Sequence, residues 1–215
     1  MAIKDSAKTI LCFGDSNTWG ANPKDGLRYP RSIRWPSALQ KLLGNSYEVI
    51  SEGLCGRTLV ASDPATPHRA GITHLRAILE SASPVSLVII MLGTNDIKSM
   101  YGLTAQTIAK HLDKTIDLIR RSKVGGKKKA DILVICPPPP VTPRSGRIDP
   151  RMARWPKIFR LLPALYVAVA KKRHCTYLNA GDYIASSTVD GYHLDAKAHL
   201  KLARAIAARV RKMKS

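Results

Sequence analysis

Leu87-Val88-Ile89-Ile90-Met91-Leu92 is an unbroken apolar run closed by Gly93. A segment this short and apolar at every position reads as a strand buried on both faces, which requires helices above and below it. Four other short runs read as strands: Ile10-Leu11-Cys12-Phe13, Tyr47-Glu48-Val49-Ile50, Ile132-Leu133-Val134-Ile135 and Cys175-Thr176-Tyr177-Leu178. Helical spacing separates them. It is carried by Trp35, Ala38, Leu39, Leu42 and Leu43, then by Ile72, Leu75, Ile78 and Leu79. Ile108, Leu112, Ile116 and Ile119 carry it next, followed by Leu161, Leu165, Ala168 and Val169. A last stripe comprises Ala198, Leu202, Ile206, Val210 and Met213. Strands alternating with helices predict an α/β protein, a three-layer α/β/α sandwich around a flavodoxin-like five-stranded parallel sheet. At 215 residues the chain suits a single domain, 1–215.

Local signals set the expected boundaries. Pro36 suits a first helical turn and Gly44 a stop, Pro84 ends the helix before the third strand, and Thr104, Asp195 and Asp96 read as helix N-caps. Pro163, inside a helical pattern, implies a kink or a later true start. Pro137 to Pro140 cannot continue a paired central strand, because these residues lack the N–H donor. The basic, Pro-rich stretch that follows leads to the expectation of a lid or oligomer contact at 137–157.

Lys and Arg number 35 against 15 Asp and Glu, giving a formal charge of +20. Such an excess attracts anionic partners at long range, and the clusters Lys127-Lys128-Lys129, Lys171-Lys172-Arg173 and Arg209 to Lys214 could contact polyanions non-specifically. The same charges also serve as an ordinary solvated surface, and no aromatic-interleaved basic motif indicates nucleic-acid readout. Cys12, Cys55, Cys136 and Cys175 lack metal-type spacing and are expected as reduced thiols. No apolar leader or run of membrane-spanning length is seen, so a cytoplasmic protein is expected. No His/Cys/Asp/Glu cluster has ligand spacing, and neither a metal nor an organic cofactor is expected.

The chemistry-bearing residues fall just past the strands, where open parallel sheets hold ligands. Ser16 follows the first strand in Gly14-Asp15-Ser16-Asn17-Thr18-Trp19-Gly20 and is either a helix N-cap or a nucleophile. Gly53, after the second strand, has an N–H that a ligand can approach without a Cβ in the way. Asn95 follows the third strand as a neutral donor. Asp190 and His193, three residues apart in a Gly-containing loop, could supply a carboxylate and the base it orients. His68, His74, His111, His174 and His199 have no such partner and are assigned no chemistry.

In this order, Gly14-Asp15-Ser16, Gly53, Gly93-Thr94-Asn95-Asp96 and Asp190-Gly191-Tyr192-His193 resemble the four sequence blocks of the SGNH hydrolases, serine esterases also called GDSL. Ile10 to Gly20, Glu52 to Thr58, Val88 to Asp96 and the proline run at 137–140 look like the arylesterase and acyltransferase branch. The resemblance implies Ser16 as nucleophile, His193 as base and Asp190 as its partner, with the N–H groups of Ser16 and Gly53 and the Asn95 side chain as oxyanion hole. It further implies short acyl esters of aryl or small alkyl alcohols as substrates, acyl transfer to alcohols, and an oligomer whose subunits narrow the pocket. Acetylated carbohydrate is a further candidate substrate, since the charge could recruit an acidic one. Trp19, Leu54 and Cys55 are the expected substrate-binding residues. Asn17 stands where the family name expects Leu, and Cys55 where small residues such as Ser or Ala are usual. The alternative from a different class is a polyanion-binding protein on an inactive esterase scaffold.

Overall fold

In the computed structural model, which describes residues 3–126 and 128–213, the five expected strands form one sheet. They are β1 (Lys8–Gly14), β2 (Tyr47–Gly53), β3 (Leu87–Met91), β4 (Asp131–Cys136) and β5 (Thr176–Asn179). All pair in parallel, in the order β2-β1-β3-β4-β5, which is the flavodoxin-like order. Gly14 lies opposite Gly53 on one side and Met91 on the other, so the first three strands end level with one another.

The helices are α1 (Ser16–Trp19), α2 (Trp35–Leu43), α3 (Gly71–Ser81), α4 (Ala105–Ser122), α5 (Trp155–Phe159), α6 (Leu162–Lys172) and α7 (Ala196–Lys212). Strand residues alternate between two cores. Leu11, Phe13, Val88, Ile90 and Val134 face α3, α4, α5 and α6. Ile10, Cys12, Ile89, Met91, Leu133 and Ile135 face α2 and α7. The apolar run of β3 is thus covered on both faces.

Pro36 falls in the first turn of α2, which ends at Gly44 with φ 71°. Thr104 caps α4 by accepting from Thr107 N, and Asp195 caps α7 by accepting from Ala198 N at 2.7 Å. Pro163 sits in the first turn of α6, so the periodic stretch splits into α5 and α6 instead of kinking. Asp96 caps no helix: buried, it accepts from Leu59 N through both oxygens at 3.1 Å, tying the turn after β3 to the segment before α3. Two members of the basic clusters, Lys127 and Lys214, lie outside the described residues. Among the described residues no helix is long and apolar enough to cross a membrane.

Candidate active site

Ser16 opens α1 immediately past β1, and Asp15 takes the capping position by accepting from Asn17 N at 2.9 Å. With Asp15 as cap, the Ser16 hydroxyl is left free for other work. It donates to His193 Nε2 across 2.9 Å, and His193 Nδ1 donates to Asp190 Oδ2 across 2.5 Å. The other oxygen of Asp190 accepts the backbone N–H groups of Tyr192 and His193, which fixes the carboxylate beneath the ring. Hydroxyl, imidazole and carboxylate therefore form one continuous hydrogen-bonded chain, the arrangement that activates a serine and holds its base in the right tautomer.

Asn17 holds the two halves of this chain together. Its Nδ2 donates to Tyr192 O at 3.1 Å and its Oδ1 accepts from Leu194 N at 3.0 Å, bracketing His193 on either side. The histidine loop has a second support. Val141 N donates to Gly191 O, Arg144 N donates to Thr188 O, and Ser186 Oγ donates to Pro139 O. Gly191 has φ 92°, and a methyl group there would stand 2.5 Å from Val141 O. The proline-rich segment after β4 thus buttresses the loop at its start and lines the site further on.

Ser16 and His193 open into a cavity of about 250 Å³, shared with Cys55, Gly56, Thr94, Asn95, Arg69, Lys98 and the later part of the proline-rich segment. Asn95 is 7 % exposed and donates one amide proton to Arg57 O at 3.1 Å, leaving the second. Neither Ser16 N–H nor Gly56 N–H has an acceptor among the described residues. Larger hollows lie near Tyr29 and Lys197 (about 620 Å³) and near Arg120 and Lys129 (about 440 Å³), but neither contains Ser16 or His193.

Three expected site residues are placed elsewhere. Gly53 does not line the cavity: a methyl group on it would lie 2.1 Å from Trp19 N, so its bare Cα is what lets α1 cross β2. Leu54 N, one residue on, donates to Gly14 O, and since successive strand N–H groups point to opposite edges, that of Gly53 turns away from Ser16. Gly56, with φ 81°, occupies the cavity wall instead. Trp19, half-buried, does not line the cavity; the Arg28 guanidinium lies 5.0 Å over its ring and Arg28 Nε donates to its carbonyl. Leu54 does not line the cavity either, and its N–H is taken by Gly14 O. Cys55 does line the cavity; burial and the nearby Asp15 push its thiol pKa up, so it presents a neutral wall.

Beneath the site lie two buried carboxyls. Burial raises Asp15 to about 6, and burial together with the charge of Asp15 raises Asp96 to about 7. Gly14 admits no side chain here, because a methyl group would stand 2.0 Å from Thr18 Oγ1.

The profile of the GDSL-like lipase/acylhydrolase family matches residues 12–201, a span that runs from β1 into α7 and includes Ser16, Asn95, Asp190 and His193. The chain belongs to this family. It is a carboxylic ester hydrolase of the SGNH type. Among solved structures, the carbohydrate acetylesterase Est24 from Sinorhizobium meliloti superposes with TM-score 0.90 at 35 % identity, covering 96 % of this chain and 99 % of that one. An inhibitor-bound aryl esterase from M. smegmatis superposes with TM-score 0.89 at 33 % identity, covering 96 % and 99 %. An acetylxylan esterase from Xylanibacter ruminicola is 28 % identical over 98 % of this chain but only 44 % of its own length, so the chain spans less than half of that relative.

Sequence reasoning missed several residues of this GDSL-type site. Gly56 lies in the same turn as Cys55, and only the crossing of α1 decides which glycine shares the cavity with Ser16. Arg69, Lys98, Asp149, Arg151 and Met152 reach the cavity from loops with no periodic signal.

Proposed function

We propose that the chain is a serine esterase acting on short acyl esters of aryl or small alkyl alcohols and on acetylated carbohydrates, through an acyl-enzyme on Ser16. The observation that carries this reading is the hydrogen-bonded run Ser16, His193, Asp190 beside unengaged N–H donors. His193 takes the Ser16 proton as the oxygen attacks the ester carbonyl, Asp190 stabilises the imidazolium, and His193 returns the proton to the leaving alkoxide. Ser16 N–H, Gly56 N–H and the second amide proton of Asn95 receive the oxyanion. Water completes hydrolysis, and an alcohol in its place gives acyl transfer.

The small acyl group is supported by the modest cavity of about 250 Å³ and by its wall of Cys55 and Met152. Carbohydrate and aryl esters are supported by the names of the structural relatives. A role for 137–157 as a lid and subunit contact is supported by Asp149, Arg151 and Met152 lining the cavity and by the exposed Ile148. The free state of all four cysteines supports a reducing, cytoplasmic setting.

The test is hydrolysis of 4-nitrophenyl acetate, then an acyl-length series and a panel of alcohol acceptors, with Ser16→Ala as the blank. Turnover that declines with acyl length and vanishes in the blank is expected. Equal rates for Ser16→Ala and the parent would end the proposal.

A further inference from the structure

Four charged side chains line the cavity besides the catalytic groups: Arg69, Lys98, Arg151 and Asp149. Arg151 is engaged, its guanidinium bonding both oxygens of Asp149, with NH2 to Oδ2 at 2.7 Å. Arg69 and Lys98 are not. Neither side chain donates to an acceptor or joins an ion pair among the described residues, and Arg69 Nε is buried without a partner. Of the nearby carboxyls, Asp190 is committed to His193 and Asp149 to Arg151, while buried Asp15 and Asp96 lie close enough for Lys98 to lower their pKa but neither bonds it.

Both cations border the reacting groups. Arg69 lies over the Gly56 turn, with its Cδ and a terminal nitrogen 2.9 and 3.0 Å from where a Cβ on Gly56 would stand. Lys98 follows Asn95 by three residues, and its N–H donates to Asn95 O at 3.2 Å. Burial and the neighbouring Arg151 and Arg69 lower the pKa of the Lys98 ammonium and outweigh the pull of Asp15 and Asp149, the mark of a charge with too little compensation. Long side chains normally carry such charges out to water. Two held inward, unpaired, in a recess beside a nucleophile focus a positive field on whatever binds there.

We infer that the esters this site is built for carry a carboxylate, which Arg69 and Lys98 hold while Ser16 attacks. This rests on Ser16 being the nucleophile, and adds that the alcohol or the acyl half of the substrate is an acid, as in an acetylated uronic acid. The guanidinium offers a flat fork of donors matched to a carboxylate, and the ammonium adds a point charge.

The experiment compares kcat/KM for two matched pairs: 4-acetoxybenzoate with its methyl ester, which place the charge on the alcohol side, and mono-4-nitrophenyl glutarate with its methyl ester, which place it on the acyl side. Dividing the anionic-to-neutral ratio of the parent by that of Arg69→Gln, Lys98→Met and the double variant cancels intrinsic reactivity. The ratio is expected to fall about tenfold or more in the double variant for one of the pairs. It should be held by Arg69→Lys with Lys98→Arg, and in the parent it should fall between about 0.05 and 0.5 M salt. Parallel losses for anionic and neutral esters, or a ratio unmoved in both pairs, would overturn the inference. If the parent leaves 4-nitrophenyl acetate intact, the esterase reading fails by itself. Calorimetric binding of 4-hydroxybenzoate then decides the anion site, supporting it if weakened in the double variant and overturning it if unchanged or absent.

Discussion

Asn17 and Leu194, 177 positions apart, are joined by a 3.0 Å hydrogen bond from the leucine N–H to the asparagine carbonyl oxygen. The same side chain donates to Tyr192 O, so the residue after Ser16 holds the backbone on both sides of His193. Asn17→Ala leaves two buried backbone groups without partners, worth about 1–3 kcal/mol each at most. The expected outcome is a kcat on 4-nitrophenyl acetate reduced by roughly tenfold to a hundredfold, with KM nearly unchanged and a lower denaturation midpoint. A rise in KM at constant kcat would show that Asn17 contacts substrate and does not position His193.

Asn95 has one amide proton tied to Arg57 O and one to spare. Asn95→Ala is expected to lower kcat by about 100-fold or more, the usual consequence of deleting one oxyanion donor, while Ser16 still becomes acylated. Burst kinetics with a chromogenic ester would check this; a loss below tenfold would remove Asn95 from the oxyanion hole.

Gly53 and Gly56 make opposite predictions for one added methyl group. At Gly53 it meets the backbone of α1 at 2.1 Å, which cannot yield without moving Ser16, so Gly53→Ala should unfold readily and lose activity with stability. At Gly56 the nearest atom is the movable Cδ of Arg69 at 2.9 Å, and the φ of 81° adds about 1–2 kcal/mol of strain. Gly56→Ala should therefore fold and keep its N–H. Thermal melts of the two variants beside the parent make the comparison.

Asp96 binds its proton more tightly in the folded chain, at about 7, than at its ordinary 3.8. Between these values the native state holds more protons than the unfolded one, so a stabilisation present below about pH 4 is lost as pH rises through about 7. Asp15, raised to about 6, titrates in the same window. His199, lowered to about 4 from 6.5 by burial, acts in the opposite direction, adding stability as pH rises over that range. The parent alone mixes the two, and the difference from Asp96→Asn separates them. The variant keeps an acceptor for Leu59 N and never ionises. Its advantage over the parent, measured by urea unfolding, should grow from pH 4 to 7 by on the order of a few kcal/mol and then level off. A constant difference would mean that Asp96 does not titrate there.

Much of the fold was legible because each strand and helix announces itself locally: β3 by apolar residues on both faces, α2 by Pro36 and Gly44, α4 and α7 by Thr104 and Asp195. Ser16 was legible because a short turn at a strand end carries it, and Asp190 and His193 because they lie three residues apart in a Gly-containing loop before a helix. What escaped depends on contacts distant in sequence. Gly53 and Gly56 look alike until α1 crosses β2. Trp19 follows Ser16 closely, yet its ring packs under Arg28 and not in the cavity. Asp96 has the composition of a cap, and its acceptor role depends on Leu59, 37 residues upstream. Asn17 gives no local hint of a bond to residues near the other end of the chain.

That bond means Ser16 is idle until the chain has been made through its histidine loop. Ser16 emerges long before His193, so a chain still being translated, or one clipped before Asp190, carries a serine with no imidazole beside it and is spared premature acylation.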